Sequence, residues 1–119
     1  MPSRKPRQRF HDIVDNIDSI LRYAAGLDEA AFMANDLVVD AVERCLSRIS
    51  EAAVKLGDDT ATLAPGPPWD KIRGIGNRLR HEYDVIKRVD LWQIIEIHLV
   101  PLREASTKAI ARIEQGQAD

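Results

Sequence analysis

The chain has one cysteine, Cys45, among its 119 residues. A single thiol cannot close an intrachain disulfide or build a thiolate zinc cluster, and it fits a reducing, cytoplasmic setting. No stretch reaches 18 uninterrupted apolar residues, so no membrane span is expected. The opening MPSRKPRQR is basic, but no apolar run follows it as in a secretory leader. Charge of one sign is also lacking. Against 17 Lys and Arg stand 19 Asp and Glu, a formal net charge of -2, so the whole molecule is not a polycation. Contact with nucleic acid would have to come from a local patch. There is no P-loop, no dinucleotide fingerprint and no HExxH helix. Period-two alternation with turn dipeptides is missing too, and so is any internal repeat, which leaves no basis for strands or a solenoid.

What is present is globular. Hydrophobic residues make up 45% and charged residues 30%, enough for one domain with a real core. Pro2, Pro6 and the basic side chains of residues 1–9 suggest a flexible basic arm, and 116–119 a flexible tail. Between them, 10–115 read as a single helical domain. Phe10, Ile13, Ile17, Ile20, Leu21 and Ala24 recur at helical spacing, so a first helix is expected from Phe10 to about Ala25, stopped by Gly26. A long second helix is expected from about Asp28 to Leu56, with a break site near Asn35 and Asp36 and an end at Gly57. The run Pro65-Gly66-Pro67-Pro68 cannot continue a helix. A third helix is expected from Trp69 or Asp70 to at least Tyr83, with Ile72, Ile75 and Leu79 on its apolar side. Gly74 and Gly76 within it suggest close approach of another backbone or room for a ligand. A short turn should follow at Val85 to Val89. Asp90 is the expected N-cap of a last helix, Leu91 to about Glu114, kinked at Pro101. The sum is an all-α, four- to five-helix up-and-down bundle with a long second helix.

The chemistry concentrates in Asp70 to Asp84, DKIRGIGNRLRHEYD. Asn77 and His81 are four apart and share a helix face, and Arg78 projects to the same side. Histidine exchanges a proton near neutral pH, which suits a general acid or base acting on a phosphodiester. Arg78 and Arg80 could neutralise the phosphate. RNA cleavage would then need no metal, because the substrate's own 2'-hydroxyl is the nucleophile. Lys71, Arg73, Arg78 and Arg80 form a basic run without an intervening acid, able to seat a sugar-phosphate backbone. The same residues also describe a solvated helix face with two i,i+4 charge pairs, Arg78 with Glu82 and Arg80 with Asp84. Metal binding is not expected. Asp12 adjoins His11 and points elsewhere, and Asp36 with Asp40 has no histidine partner. Cys45, on an apolar stripe, reads as a buried hydrophobe.

The stretch PWDKIRGIGNRLRHEYD resembles the signature region of the HepT-like proteins of the HEPN superfamily, helical domains that bind nucleotides. The likeness extends over about residues 10 to 114: an N-terminal helix, a long second helix with an ISEAA-like stretch at Ile49 to Ala53, a Pro-Trp entry, the motif helix, and an aspartate opening the last helix. The resemblance implies a HEPN-like fold, a homodimer with both motifs facing one cleft, and a metal-independent endoribonuclease toxin encoded beside a minimal nucleotidyltransferase antitoxin. It casts His81 as the catalytic histidine, Asn77 as its supporting polar residue and Tyr83 as a tyrosine open to AMP transfer by that partner. No cofactor is implied. The family arginine, five residues before the histidine, falls here on Gly76. That departure keeps a second reading open, a catalytically degenerate binding subunit of a minimal nucleotidyltransferase complex.

Overall fold

The computed structural model describes residues 5–81 and 86–116. Every regular element among them is helical: α1 (Pro6–Ala24), α2 (Glu29–Met33), α3 (Asp36–Leu56), α4 (Asp59–Leu63), α5 (Trp69–Arg80), α6 (Arg88–Gln93) and α7 (Leu99–Gly116). A π-helical turn, Ile94–His98, joins the last two into one rod. The expected all-α bundle therefore forms, with α1, α3, α5 and the α6–α7 rod as its long members.

α3 is the spine, with α1 and α5 packed on it, while α1 also packs on α7. The apolar stripe of α1 is buried from Phe10 through Ile13, Ile17 and Ile20 to Ala24. α3 answers with Val42, Leu46, Ile49, Ala53 and Leu56. At roughly 25 cal/mol per Å2 of apolar surface removed from water, these stripes are the main favourable contribution to the fold.

The boundaries differ from the periodic pattern in ways the local chemistry explains. α1 begins at Pro6, four residues ahead of the expected start and inside the supposed basic arm. Proline suits the first helical position, where its missing N–H is not needed, and Arg7 then reaches Glu114 of α7 at 3.5 Å. The long second helix is two helices. Asp28 caps α2 by accepting from the Ala31 N–H at 2.8 Å. Asn35 caps α3 from extended backbone, accepting from the Val38 N–H at 3.0 Å. Each side chain satisfies a donor that a helix start leaves open.

α5 ends at Arg80, not at Tyr83, and His81 is extended at φ -113°, ψ 125°. Among the described residues the apolar stripe of α5 ends at Leu79. Tyr83 and Val85, the first residue of the expected 85–89 turn, lie outside the described residues; Ile86 and Lys87 belong to no helix, and α6 begins at Arg88. Asp90 is not the N-cap of α6. Lys87 holds that position, and Asp90 acts from the first turn, its carboxylate accepting from the Lys87 N–H at 3.3 Å. The distortion expected at Pro101 takes the form of the π turn just before it, in which the Leu99 N–H bonds the Ile94 carbonyl. A proline ring crowds the carbonyl four residues back, here that of Ile97, and widening the preceding turn makes room for it.

Candidate active site

α5 is held by three directed contacts, one to the residue that ends α4 and two to α3 and its C-terminal end. At its start, the Trp69 indole N–H donates to the Ala64 carbonyl at 2.8 Å, and the ring meets Phe10 edge-on at 6.3 Å. One turn on, the Arg73 guanidinium gathers the end of α3. It donates to the carbonyls of Ala53 at 3.2 Å and Gly57 at 2.7 Å, to Thr60 Oγ1 at 2.7 Å and to Asp70 at 3.1 Å. A cation on the last carbonyls of a helix is favourable by both hydrogen bonding and the helix dipole. In the middle, the buried Ser50 hydroxyl accepts from the Gly76 N–H at 3.0 Å and donates to the Arg73 carbonyl at 2.8 Å.

That last contact requires a glycine. A Cβ built on Gly76 would lie 2.8 Å from Ser50 Oγ, 3.2 Å from Ser50 Cβ and 3.4 Å from Nη1 of Arg80. Arg80 thus folds back one turn, its guanidinium over Gly76. At Gly74 the same construction meets nothing within 4 Å. Of the two glycines in the helix, Gly76 permits close approach and Gly74 leaves space.

Docking by this face turns the polar end of α5 outward. Asn77, Arg78, Arg80 and His81 are exposed, as is Lys71 at the other end. Asn77 Oδ1 lies 3.0 Å from His81 Nε2. An amide oxygen only accepts, so with this pairing Nε2 carries the proton and Nδ1 is the basic nitrogen. The expected neighbours Asn77 and His81 are therefore brought together, although His81 has left the helix. Arg73, read from the sequence with the phosphate-seating cations, instead directs its N–H groups at the chain's own carbonyls. Tyr83 is outside the described residues. So are Glu82 and Asp84, the acids of the two expected charge pairs.

Alongside α5 a groove of about 860 Å3 separates it from α7. Gly74, Ile75 and Arg78 line one wall, Leu99, Leu102 and Ala105 the other, and Leu46 and Ile49 of α3 the floor. Away from it, Cys45 is buried, and burial raises its thiol pKa, which keeps it protonated and unreactive. Among the described residues no cluster of three or more His, Cys, Asp or Glu could hold a metal ion. No described helix is long and apolar enough to cross a membrane.

The sequence pattern described as "Ribonuclease HepT-like" matches residues 13–109. The chain belongs to the HepT-like ribonuclease family. Among its relatives is the Methanocaldococcus jannaschii protein named "Putative RNase MJ0125", 26% identical over 115 residues, which cover 97% of this chain and 99% of that protein. A second protein of that organism, "Putative RNase MJ1380", is 28% identical over 81% of this chain and 88% of its own length. "Putative RNase TTE0752" of Caldanaerobacter subterraneus subsp. tengcongensis is 24% identical over 94% of this chain and 99% of its own. No solved structure gives a significant match.

In this HepT-like chain the position of the motif arginine is a packing position. Gly76 is buried against α3, and Ser50 fills the space through which any side chain there would leave the backbone. Sequence reasoning passed over Ser50, and over Thr60, which takes a bond from Arg73. The signal for Ser50 was available: it is a serine set within the otherwise apolar face Leu46, Ile49 and Ala53 of α3.

Proposed function

We propose that this HepT-like chain is a metal-independent endoribonuclease whose reaction is carried by His81 at the exposed end of α5. The observation that supports this reading most is the 3.0 Å pairing of Asn77 Oδ1 with His81 Nε2, which, with Nε2 as the donor, leaves Nδ1 to act as base. Membership of a ribonuclease family supports the same chemistry. Nδ1 takes the proton of a substrate 2'-hydroxyl, whose oxygen attacks the adjacent phosphorus. The bond from phosphorus to the 5'-oxygen breaks, and that oxygen leaves with a proton returned by an imidazolium. The products are a 2',3'-cyclic phosphate and a 5'-hydroxyl. Arg78 and Arg80 offset the charge that builds on the phosphoryl oxygens, and Lys71 holds flanking backbone. Arg80, folded over Gly76, brings a guanidinium to the position where the sequence lacks one. The family likeness further supports a homodimer with both histidines on one cleft, a minimal nucleotidyltransferase as antitoxin, and Tyr83 as the residue that receives AMP. A bulky nucleotide two residues from His81 would close the site.

Purified protein is expected to cut total cellular RNA in excess EDTA, leaving cyclic phosphate ends, while His81→Ala loses at least about 100-fold in rate, the usual scale for a general acid or base. One observation favours a second reading. Gly76 removes the motif arginine, as in a binding subunit that holds its nucleotidyltransferase without cutting RNA. Folded wild-type protein that leaves RNA intact in the same assay would establish that reading and overturn the nuclease.

A further inference from the structure

The groove between α5 and α7 is too apolar to be explained by phosphate binding. Its floor and walls are aliphatic, built from Leu46, Ile49, Ile72, Ile75, Leu99 and Leu102, and one end is closed by Pro65 to Pro68. Among the described residues no Phe, Tyr or Trp lines it. A groove that tracks single-stranded RNA is normally furnished with aromatic rings on which bases stack. The apolar surface also continues past the lip. Ile97, next to the lining residue His98, and Val100, next to the lining residue Pro101, are 59% and 50% exposed.

The rim has one dominant charge. Lys71 and Arg78 stand on the α5 side, Lys108 and Arg112 on the α7 side, and Glu104 is the single acid among the described lining residues. A two-fold contact between copies of this chain through the groove would set these cations against themselves. The α5 residues of the wall run from Lys71 to Arg78, about 12 Å at the helical rise, which matches two turns of a guest helix.

We infer that the groove is a docking site for an acidic amphipathic helix of another protein. Its apolar stripe would lie on the aliphatic floor and its carboxylates would flank it toward Lys71, Arg78, Lys108 and Arg112, the helix-in-groove mode of recognition. Such a guest covers Arg78, three residues before His81, which follows the end of α5. It therefore reports on the exposed end of α5 whether or not that end cuts RNA.

The test uses the full chain and three fluorescent probes. The first is a designed peptide of about 14 residues, ~21 Å as a helix, with Leu and Ile at i, i+3, i+4 and i+7 and Glu on both flanks. The second is the same peptide with Lys for Glu. The third is a 2'-O-methyl oligouridine, which cannot be cleaved through its 2'-oxygen. The acidic peptide is expected to bind at least about tenfold more tightly than its lysine twin, a gap of ~1.4 kcal/mol. Gly74→Glu sets an acid in the wall where a Cβ meets nothing and is expected to weaken the acidic peptide about tenfold or more. Gly74→Ala should leave binding unchanged, and neither variant should melt below wild type, since glycine is the poorer helix former. Equal binding of the two peptides, or no binding by either, overturns the proposal. So does binding of the oligouridine alone with loss in Gly74→Glu, which assigns the groove to nucleic acid. Conversion of a dimer to monomers by Gly74→Glu in light scattering also overturns it, because the occupant is then a second copy.

Discussion

α1 and α5 both lie on α3, but different chemistry holds them there. α1 is held by volume. Phe10, Ile13, Ile17 and Ile20 are fully buried and contribute no polar atoms to the contact. α5 buries only Trp69, Ile72 and Gly76, and its attachment is directional: an indole N–H on Ala64, a guanidinium across the end of α3, and the Ser50 hydroxyl inserted beside Gly76. Apolar packing tolerates small rotations of a helix, because any neighbour of similar volume will do. Three hydrogen-bonded anchors along one helix do not. They fix its rotation about its own axis, and that rotation is what turns Asn77 and His81 to solvent while Gly74 and Ile75 face the groove.

The largest test of this contrast compares one side chain from each helix. Phe10→Ala is expected to destabilise the fold by ~3–5 kcal/mol, the range for a large aromatic removed from a packed core. Ile75→Ala, half-buried on the groove wall, should cost only ~1 kcal/mol because part of its surface is already in water. Urea denaturation of the two variants reads the difference directly. Equal losses would mean that the groove is packed in solution, and the contrast between the helices would be wrong.

Arg73 comes next. Its guanidinium reaches two carbonyls, a hydroxyl and a carboxylate, so Arg73→Ala is expected to cost ~2–3 kcal/mol, as for lost hydrogen bonds to a charged group. Arg73→Lys should recover less than half of that loss in the same denaturation experiment. An ammonium is a point donor and cannot span acceptors arranged for a planar fork. Full recovery by lysine would reduce Arg73 to one more surface cation and return it to the phosphate-seating set in which its sequence neighbours place it.

That misplacement of Arg73 marks the limit of sequence reading in this molecule. The fold was legible because it rests on periodicity. Stripes such as Ile13, Ile17, Ile20 and Val42, Ile49, Leu56 name both the helices and their buried faces, and Asn35 marked a break that the stripe alone would have run through. The pairing of Asn77 with His81 was legible for the same reason, since a spacing of four is local. Contacts between distant segments were not. Nothing near Arg73 in sequence announces that the end of α3 will lie within its reach, and a basic residue among basic residues reads as surface. The end of α5 at Arg80 was missed because the stripe was extended to Tyr83 across Arg80, His81 and Glu82, none of which is apolar. The groove was invisible for a related reason. Leu99 and Leu102 look like core in the sequence and are buried, and only the arrangement of helices shows that they and the half-buried Ile75 also line a groove.

The smallest expected effect tests the closest contact. Gly76→Ala adds one carbon to a helix, which by propensity alone should stabilise it by up to ~1 kcal/mol. Here the added Cβ would stand 2.8 Å from Ser50 Oγ. The hydroxyl must rotate away, giving up its bonds to the Gly76 N–H and the Arg73 carbonyl, a loss of ~1 kcal/mol for each. The two contributions oppose each other, and the net should be a destabilisation of ~1 kcal/mol. Ser50→Ala removes the oxygen, so Gly76→Ala in that background should cost less than in the wild type, or nothing. A double-mutant cycle in urea is expected to give a coupling of about 1 kcal/mol or more between the two positions. Additive costs would show that Ser50 does not exclude a side chain at 76. The glycine would then need an explanation other than packing, and an arginine introduced there would be free to reach solvent beside Asn77. With coupling, the missing arginine follows from the way α5 is seated. A helix whose middle is pressed onto a serine has no room for a side chain at that point, and its positive charge is presented from the exposed positions on either side, Lys71 before it and Arg78 and Arg80 after it.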